Sequence, residues 1–147
     1  MPSALQASET CVAAIQQAEG FRSAAYRDMA GVWTIGYGET LHVKQGDAIT
    51  QADAEARLRQ RLAACAFDVR QLVRRSLTQG ELDALIDFEY NLGRAALQHS
   101  TLLAKLNAGD LAGAAAEFPR WCHADGEYVA GLLARRMREQ GWFNQAA

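Results

Sequence analysis

Two carboxylates and a hydroxyl lie close together early in the sequence: Glu19, Asp28 nine residues on, and Thr34 six beyond that. Glu19 follows small or apolar neighbours (Ala13, Ala14, Ala18) and directly precedes Gly20-Phe21. A carboxylate beside apolar side chains has its charged form disfavoured, which suits it to donate a proton. At a helix C-terminus a carboxylate is also electrostatically disfavoured, so its presence there needs a reason. The plainer alternative is a solvated acid at a helix end. Asp28 and Thr34 fall in a glycine-rich stretch, and if that stretch folds back all three residues face one cleft. One carboxyl kept protonated and one ionised, on either side of a cleft, is what hydrolysis of a glycosidic bond requires. Asp in a turn and Thr in a strand are equally ordinary structural residues. Spacing alone leaves both readings open.

The elements that must position these groups can be read from periodicity. Residues 8–19 predict a helix, with Val12, Ile15 and Gln16/Glu19 at helical spacing and Gly20 placed to stop it. Residues 20–49 are punctuated by Gly20, Gly31, Gly36, Gly38 and Gly46, around the strand-forming run Val32-Trp33-Thr34-Ile35. That predicts a small hairpin-like β region with turns and close backbone approaches. From Thr50 to about Val73 the pattern is a long amphipathic helix, opened by a capping pair of Thr50 and Asp53. Its apolar stripe is Leu58, Leu62, Cys65, Val69 and Leu72, with Arg57, Arg59, Arg61 and Arg70 off it. About 23 residues span about 35 Å, longer than one small lobe needs, so this helix is expected to bridge two.

Thr78-Gln79-Gly80-Glu81 is a second capping box, and the helix over 80–91 is apolar on most faces, which makes it central to its lobe. Ser100, Asp110 and Glu127 are expected to open further short segments, and Asn107-Ala108-Gly109 and Gly141 to end helices. The C-terminal half is therefore expected to be a cluster of short helices around 80–91.

Composition sets the outer bounds. The chain has 147 residues, half of them hydrophobic, enough for one compact domain with a real core. Its formal charge is −2, with 6 basic and 8 acidic groups in residues 1–68 and 9 of each in 69–147. Neither half has the Lys and Arg surplus that coating nucleic acid needs. No apolar run approaches the roughly 18 residues that span a bilayer, and Met1 to Thr10 lacks the basic start and apolar stretch of a secretory signal. The expectation is a protein made in the cytoplasm, not exported by the secretory route and not stably inserted in a membrane. Cys11, Cys65 and Cys122 are widely spaced, with no Cys-x-x-Cys and no His/Cys cluster at ligand spacing, so no metal or other cofactor is expected. The cysteines read as small core hydrophobes; one disulfide between an unspecified pair, plus a free thiol, is the alternative.

Glu19-x8-Asp28-x5-Thr34 sits within Glu-Gly-Phe-Arg-x3-Tyr-x-Asp-x2-Gly-x-Trp-Thr-Ile-Gly-Tyr-Gly. This block resembles the phage-type lysozymes, glycoside hydrolase family 24. Four more blocks follow in register. Leu82 to Gly93 resembles the family's central helix, Ser100 to Asp110 and Glu117 to Trp121 the segments after it, and Gly131 to Glu139, with Trp142, the last helix. Together they cover residues 15–143. The resemblance implies a muramidase, usually a phage or prophage endolysin, that cleaves the β-1,4 bond between N-acetylmuramic acid and N-acetylglucosamine. It implies Glu19, Asp28 and Thr34 as catalytic residues, Glu19 as general acid and the other two positioning water.

The implied fold is α+β and mainly helical: a single lysozyme-like domain over 1–147. Lobe 1 would span about 12–60, the connecting helix about 50–73 and lobe 2 about 74–147. The implied partners are peptidoglycan glycan strands and a holin-type protein, the latter opening the membrane so that a monomeric enzyme held in the host cytoplasm can reach the wall. The chain departs from the family in one place. After Gly36-Tyr37-Gly38 the family most often has His, and here Glu39 stands, with His42 three residues on. Whatever partner that His finds is changed. Several relatives are basic, whereas this chain is slightly acidic, so long-range attraction to an anionic wall should be weak.

By the same resemblance Tyr90 and Asn91 border the sugar groove, Tyr90 either stacking on a sugar or packing in the core. Thr40 and Ser100 either hydrogen-bond the glycan or its peptide, or serve as turn residue and helix cap. Glu89 shares a face with Leu82, Leu85 and Ile86 and is expected to meet an Arg such as Arg135 or Arg136. Arg135-Arg136-x-Arg138 is expected to pair structurally rather than form a binding patch. Two rival functions remain: a non-catalytic peptidoglycan-binding module, which has no need of a proton donor, and a lytic transglycosylase, which can dispense with a water-positioning carboxylate.

Overall fold

The structure, a computed structural model, describes residues 5–145. It is mainly helical with two small antiparallel sheets. The chain forms two compact units, residues 9–62 and residues 63–145 with 5–8.

In the first unit, α1 (Glu9–Glu19) buries Cys11, Val12 and Ile15 on one face. It ends because Gly20 takes φ +70°, a left-handed conformation open to glycine, with its N–H donating to the Gln16 carbonyl. Strand β1 (Arg22–Arg27) then pairs antiparallel with β2 (Trp33–Gly36), placing Arg27 opposite Trp33 and Tyr26 opposite Thr34. Such a short ribbon needs side-chain support. Arg27 lies 5.0 Å over the Trp33 ring and Arg22 4.5 Å over Tyr26, cation–π contacts that brace the pair. Segment 47–49 closes the other edge of β1, with Ala25 N–H donating to Asp47 and Ile49 N–H to Ser23, both at 2.9 Å.

The long helix α2 (Gln51–Leu72) begins in this unit, capped by Thr50, whose hydroxyl accepts the Asp53 N–H at 3.1 Å. Arg59 ties it to α1 through both oxygens of Glu9. Its buried face is Ala54, Leu58, Leu62, Ala66 and Val69, continuing to Val73. The expected stripe was right for Leu58, Leu62 and Val69 but not for Cys65 and Leu72, which are half-buried at its edge. Three successive steps of four residues carry the stripe past Cys65 onto Ala66.

In the second unit, α3 (Gln79–Leu92) starts at the expected box: Thr78 Oγ1 accepts the Glu81 N–H at 3.1 Å and Glu81 Oε1 accepts the Thr78 N–H at 2.9 Å. Every residue from Gly80 to Glu89 is buried. Helices α4 (Arg94–Gln98), α5 (Thr101–Asn107) and α6 (Leu111–Glu117), a 3₁₀ turn (Phe118–Arg120) and α7 (Ala130–Phe143) follow. Ser100 and Asp110 cap α5 and α6 as expected. Phe88 of α3 meets Phe118 and Trp121 edge-on, 6.0 and 5.2 Å between ring centres, and Phe118 meets Phe143 at 5.4 Å. A Cβ on Gly80 would lie 2.1 Å from the Trp142 carbonyl, so α3 and α7 approach too closely there for any side chain.

Two expectations about the elements of this unit need correction. Glu127 opens a short segment, but a strand rather than a helix. It belongs to β4 (Glu127–Tyr128), paired with β3 (His123–Ala124). Asp125 and Gly126 between them both have positive φ, the primed turn that an Asp-Gly pair favours. Gly141 ends nothing: it lies inside α7, which runs on to Phe143.

Helix α3 carries four buried acids. Glu81 serves the cap and meets Arg75 at 3.2 Å. Asp83 accepts from the Ser8 N–H and hydroxyl and from Gln79. Asp87 is gripped by Arg135, with Nη2 2.7 Å from Oδ1. Burial works against its charge, but a hydrogen bond from Glu139 and the Arg135 and Arg138 guanidiniums outweigh burial and hold it below the usual carboxylate range. The Glu139 carboxyl is pushed well above that range, by burial first and then by Asp87, against the pull of Arg136. Glu89 does not meet Arg135 or Arg136. Those arginines face Asp87 and Glu139, and Glu89 lies instead with Cys65, Asp68 and Arg94. Burial, aided by Asp68, raises Glu89 to about 7, while the Cys65 hydrogen bond and Arg94 pull the other way. Cys11, Cys65 and Cys122 are not joined in a disulfide, Cys11 and Cys122 being buried and Cys65 half-buried. Among the described residues no helix is long and apolar enough to cross a membrane.

Candidate active site

The unit of residues 9–62 holds Glu19, Asp28, Thr34 and Thr40. Glu19 is the last residue of α1 and is half-buried. Gly20 turns the chain immediately after it, so the side chain is presented at a helix end rather than along a helix face. The backbone of Gly38 lies against its carboxyl group: a Cβ on Gly38 would come 2.8 Å from Glu19 Oε2. Gly38 also has φ +81°, so its conformation calls for glycine, and an added Cβ would push the end of the Glu19 side chain aside. The density of glycine around 36–38 was the sequence signal of a close backbone approach, and the structure identifies what is approached.

Asp28 follows β1 and organises the loop to β2. Its Oδ1 accepts the Ala30 and Val32 N–H groups at 2.9 and 2.8 Å. Its main chain closes the same loop, with Asp28 N–H donating to Val32 and Gly31 N–H to Asp28, both at 2.9 Å. Both side-chain bonds fall on Oδ1, so among the described residues Oδ2 meets no donor. Thr34 lies on β2, buried, with Oγ1 donating to the Val32 carbonyl at 2.9 Å. That bond uses the hydroxyl proton and leaves the oxygen able to accept. Val32 therefore holds both groups, Asp28 through its N–H and Thr34 through its C=O. Its role was not visible in the sequence, where it reads as one more β-branched strand residue.

Glu39, in the place where His is usual in the resembling family, pairs its backbone with Ile35 in both directions and sets its carboxylate 3.5 Å from Arg57 on α2. The changed partner is thus an arginine, in an ion pair that Arg57 leaves half in water. Thr40 is exposed, and its carbonyl accepts the Val43 N–H in a turn.

The unit of residues 63–145 holds the other candidates. Tyr90 and Asn91 lie half-buried near the end of α3. Asn91 Oδ1 accepts from Arg136 Nη2 at 2.9 Å. Ser100 is buried, with Oγ donating to Leu97 at 2.7 Å and accepting the Leu103 N–H at 3.0 Å. Its hydroxyl proton is committed to the chain, which fits a helix cap and leaves no donor for a glycan.

A family profile described as phage lysozyme matches residues 16–139. An endolysin of Acyrthosiphon pisum secondary endosymbiont phage 1 is 41% identical over 143 residues, covering 95% of this chain and 98% of that one. Among solved structures, the muramidase domain of SpmX from Asticaccaulis excentricus superposes with a TM-score of 0.89 at 33% identity, over 97% of this chain and all of that one. The endolysin from Escherichia coli O157:H7 phage FAHEc1 gives a TM-score of 0.86 at 33% identity, over all of this chain and 98% of that one.

Proposed function

Because the chain belongs to the phage lysozyme family and is thus a peptidoglycan-degrading glycoside hydrolase, we propose that it hydrolyses the β-1,4 bond between N-acetylmuramic acid and N-acetylglucosamine with inversion. In this reading Glu19 protonates the leaving oxygen, and Asp28 and Thr34 aim a water at the opposite face of the sugar. The observation that carries it is the double tether on Val32. It fixes Asp28 with Oδ2 uncommitted and Thr34 with its oxygen ready to accept. A water that gives a proton to each is held with a lone pair exposed, the arrangement an attacking water needs. A direct carboxylate nucleophile would have no use for the hydroxyl.

The test is chemical. Mass spectrometry of digested wall should show hydrated reducing ends, and proton NMR of early product should show the α-anomer. Anhydro ends would mean a transglycosylase, and absence of fragments a binding module. Glu19→Gln keeps shape and removes the donor, so turnover should fall by about 10²–10⁴ with the melting temperature unchanged. Near-wild-type clearing by the folded variant overturns the assignment.

Tyr90, Asn91 and Thr40 are the proposed glycan contacts; Ser100 is carried forward only as the cap of α5. The proposed setting is a monomer held in the host cytoplasm until a holin-type protein opens the membrane. Expression alone should leave cells intact, and adding a membrane-permeabilising agent should lyse them. Lysis without that agent would refute this delivery route.

A further inference from the structure

Arg136 of α7 is fully buried, as is its partner Glu139. Its Nε is 2.7 Å from Glu139 Oε1, its Nη2 is 2.8 Å from Glu139 Oε2, and its Cζ stands 5.4 Å over the Phe88 ring. The guanidinium is thus held along one edge and against one face. The same Nη2 lies 2.9 Å from the side chain of Asn91. A guanidinium carries only donors and does not lose its proton in a protein. Of the two ends of the Asn91 carboxamide, only the oxygen can face it. The amide is therefore not free to flip, and its nitrogen is turned away from Arg136. Asn91 is half-buried, and among the described residues its Nδ2 meets no acceptor.

We propose that Arg136 is a positioning residue that locks Asn91 as an obligate N–H donor to an oxygen of the N-acetylated glycan. The proposal rests on the reading that Asn91 borders the glycan. An asparagine left to itself offers either a donor or an acceptor; this one offers only a donor. N-acetyl carbonyls and sugar hydroxyls accept such a bond, whereas a ligand presenting only N–H groups gains nothing there. The surrounding cluster explains why Arg136 stays where it is. Asp87 and Glu139 share it with Arg135, Arg136 and Arg138, and a buried pair broken on one side leaves an uncompensated charge.

The discriminating variant is Asn91→Asp. It keeps an oxygen on Arg136 and removes the donor. The cluster holds three guanidiniums against two carboxyls, so a third carboxylate is tolerated. KM for soluble peptidoglycan strands should rise about five- to tenfold, the size of one lost hydrogen bond, with kcat within twofold and the melting temperature unchanged or higher. A merely structural Asn91 would leave KM alone. The double substitution Arg136→Met with Glu139→Met removes the lock without stranding a charge. Its KM should rise by a similar factor, and adding Asn91→Asp to it should raise KM no further.

Should the double variant fail to fold, the side-chain NH₂ resonance of Asn91 in ¹⁵N-labelled Glu19→Gln protein serves instead. It should shift on titration with glycan strands. An unmoved resonance, an unchanged KM in Asn91→Asp, or a fall in kcat with KM constant would each overturn the proposal. Binding shifts are independent of turnover, so failure of the Glu19 assignment would show separately, as undiminished hydrolysis by that variant.

Discussion

The buried acids of α3 and the candidate catalytic aspartate are treated in opposite ways. On α3, Glu81, Asp83, Asp87 and Glu89 are buried, and arginines, hydroxyls, amides or a thiol close around them. In the unit of residues 9–62, Asp28 is held by backbone N–H groups through one oxygen while, among the described residues, the other meets no donor. Backbone amides fix a carboxylate in place without quenching it, since they hold one oxygen and bring no opposing charge. Side-chain cations fix it and neutralise it. The first arrangement suits an acid that must act on something else, the second an acid that must not.

That contrast makes removal of an ion-paired acid of α3 cost stability and removal of a candidate catalytic acid cost rate. The largest effect is expected at Asp87. Asp87→Ala leaves Arg135 facing a void in a buried cluster and should lower unfolding free energy by about 3–5 kcal/mol, read by urea denaturation. Glu19→Gln, which keeps the side chain's shape, should move the same curve far less. If Asp87→Ala unfolds at the wild-type midpoint, α3's acids are not structural and the contrast fails.

Glu89 tests the α3 side through pH. Its folded carboxyl titrates at about 7, above the ordinary value of an unfolded glutamate, so the folded state holds its proton longer. Between about pH 4.5 and 7 the unfolded chain ionises first, so Glu89's contribution to stability falls as pH rises and levels above 7. Glu89→Gln should remove Glu89's share of that slope and melt higher than wild type at pH 8, by about 1–2 kcal/mol once solvent screening is allowed for, with little difference at pH 4. Melting curves of the two proteins that run parallel across this range would refute it.

The smallest expected effect sharpens the other side. Gly38→Ala forces a Cβ to within 2.8 Å of Glu19 Oε2 at a φ that disfavours it. The strain should cost about 1–2 kcal/mol, and displacement of the proton donor should slow turnover about tenfold or more. A thermally destabilised variant with full turnover would show that the Gly38 backbone does not position Glu19.

Much of this was legible beforehand, because local chemistry decides it. Gly20 as a helix stop, the Thr78–Glu81 box and the caps at Thr50, Ser100 and Asp110 depend on four or five consecutive residues, and each is present. The β3–β4 hairpin escaped because strands of two residues show no alternation, although Asp125-Gly126 was a turn signal in plain view. Gly141 misled because a glycine inside a helix looks like one that ends it until its φ is known. Glu89 was assigned the wrong partner because the choice lay between helices. Asp87, two residues earlier, faces α7 and takes Arg135, while Glu89 turns toward α2. The sequence marked Arg136 as a pairing residue but gave no sign that it meets Asn91, and it gave none of the tether on Val32. Each acts through atoms that every residue of its type possesses, and only its neighbours give them work.

The tether on Val32 has a consequence for heredity as much as for catalysis. The span from Asp28 to Thr34 is seven consecutive residues, and the bonds that set the two groups relative to each other start and finish inside it. Its spacing is therefore written in one short stretch of code. Substitutions outside the hairpin and its supports leave these bonds in place, whereas an insertion or deletion inside the stretch disconnects both groups at once. Such a cassette travels intact when homologous genes recombine at its borders.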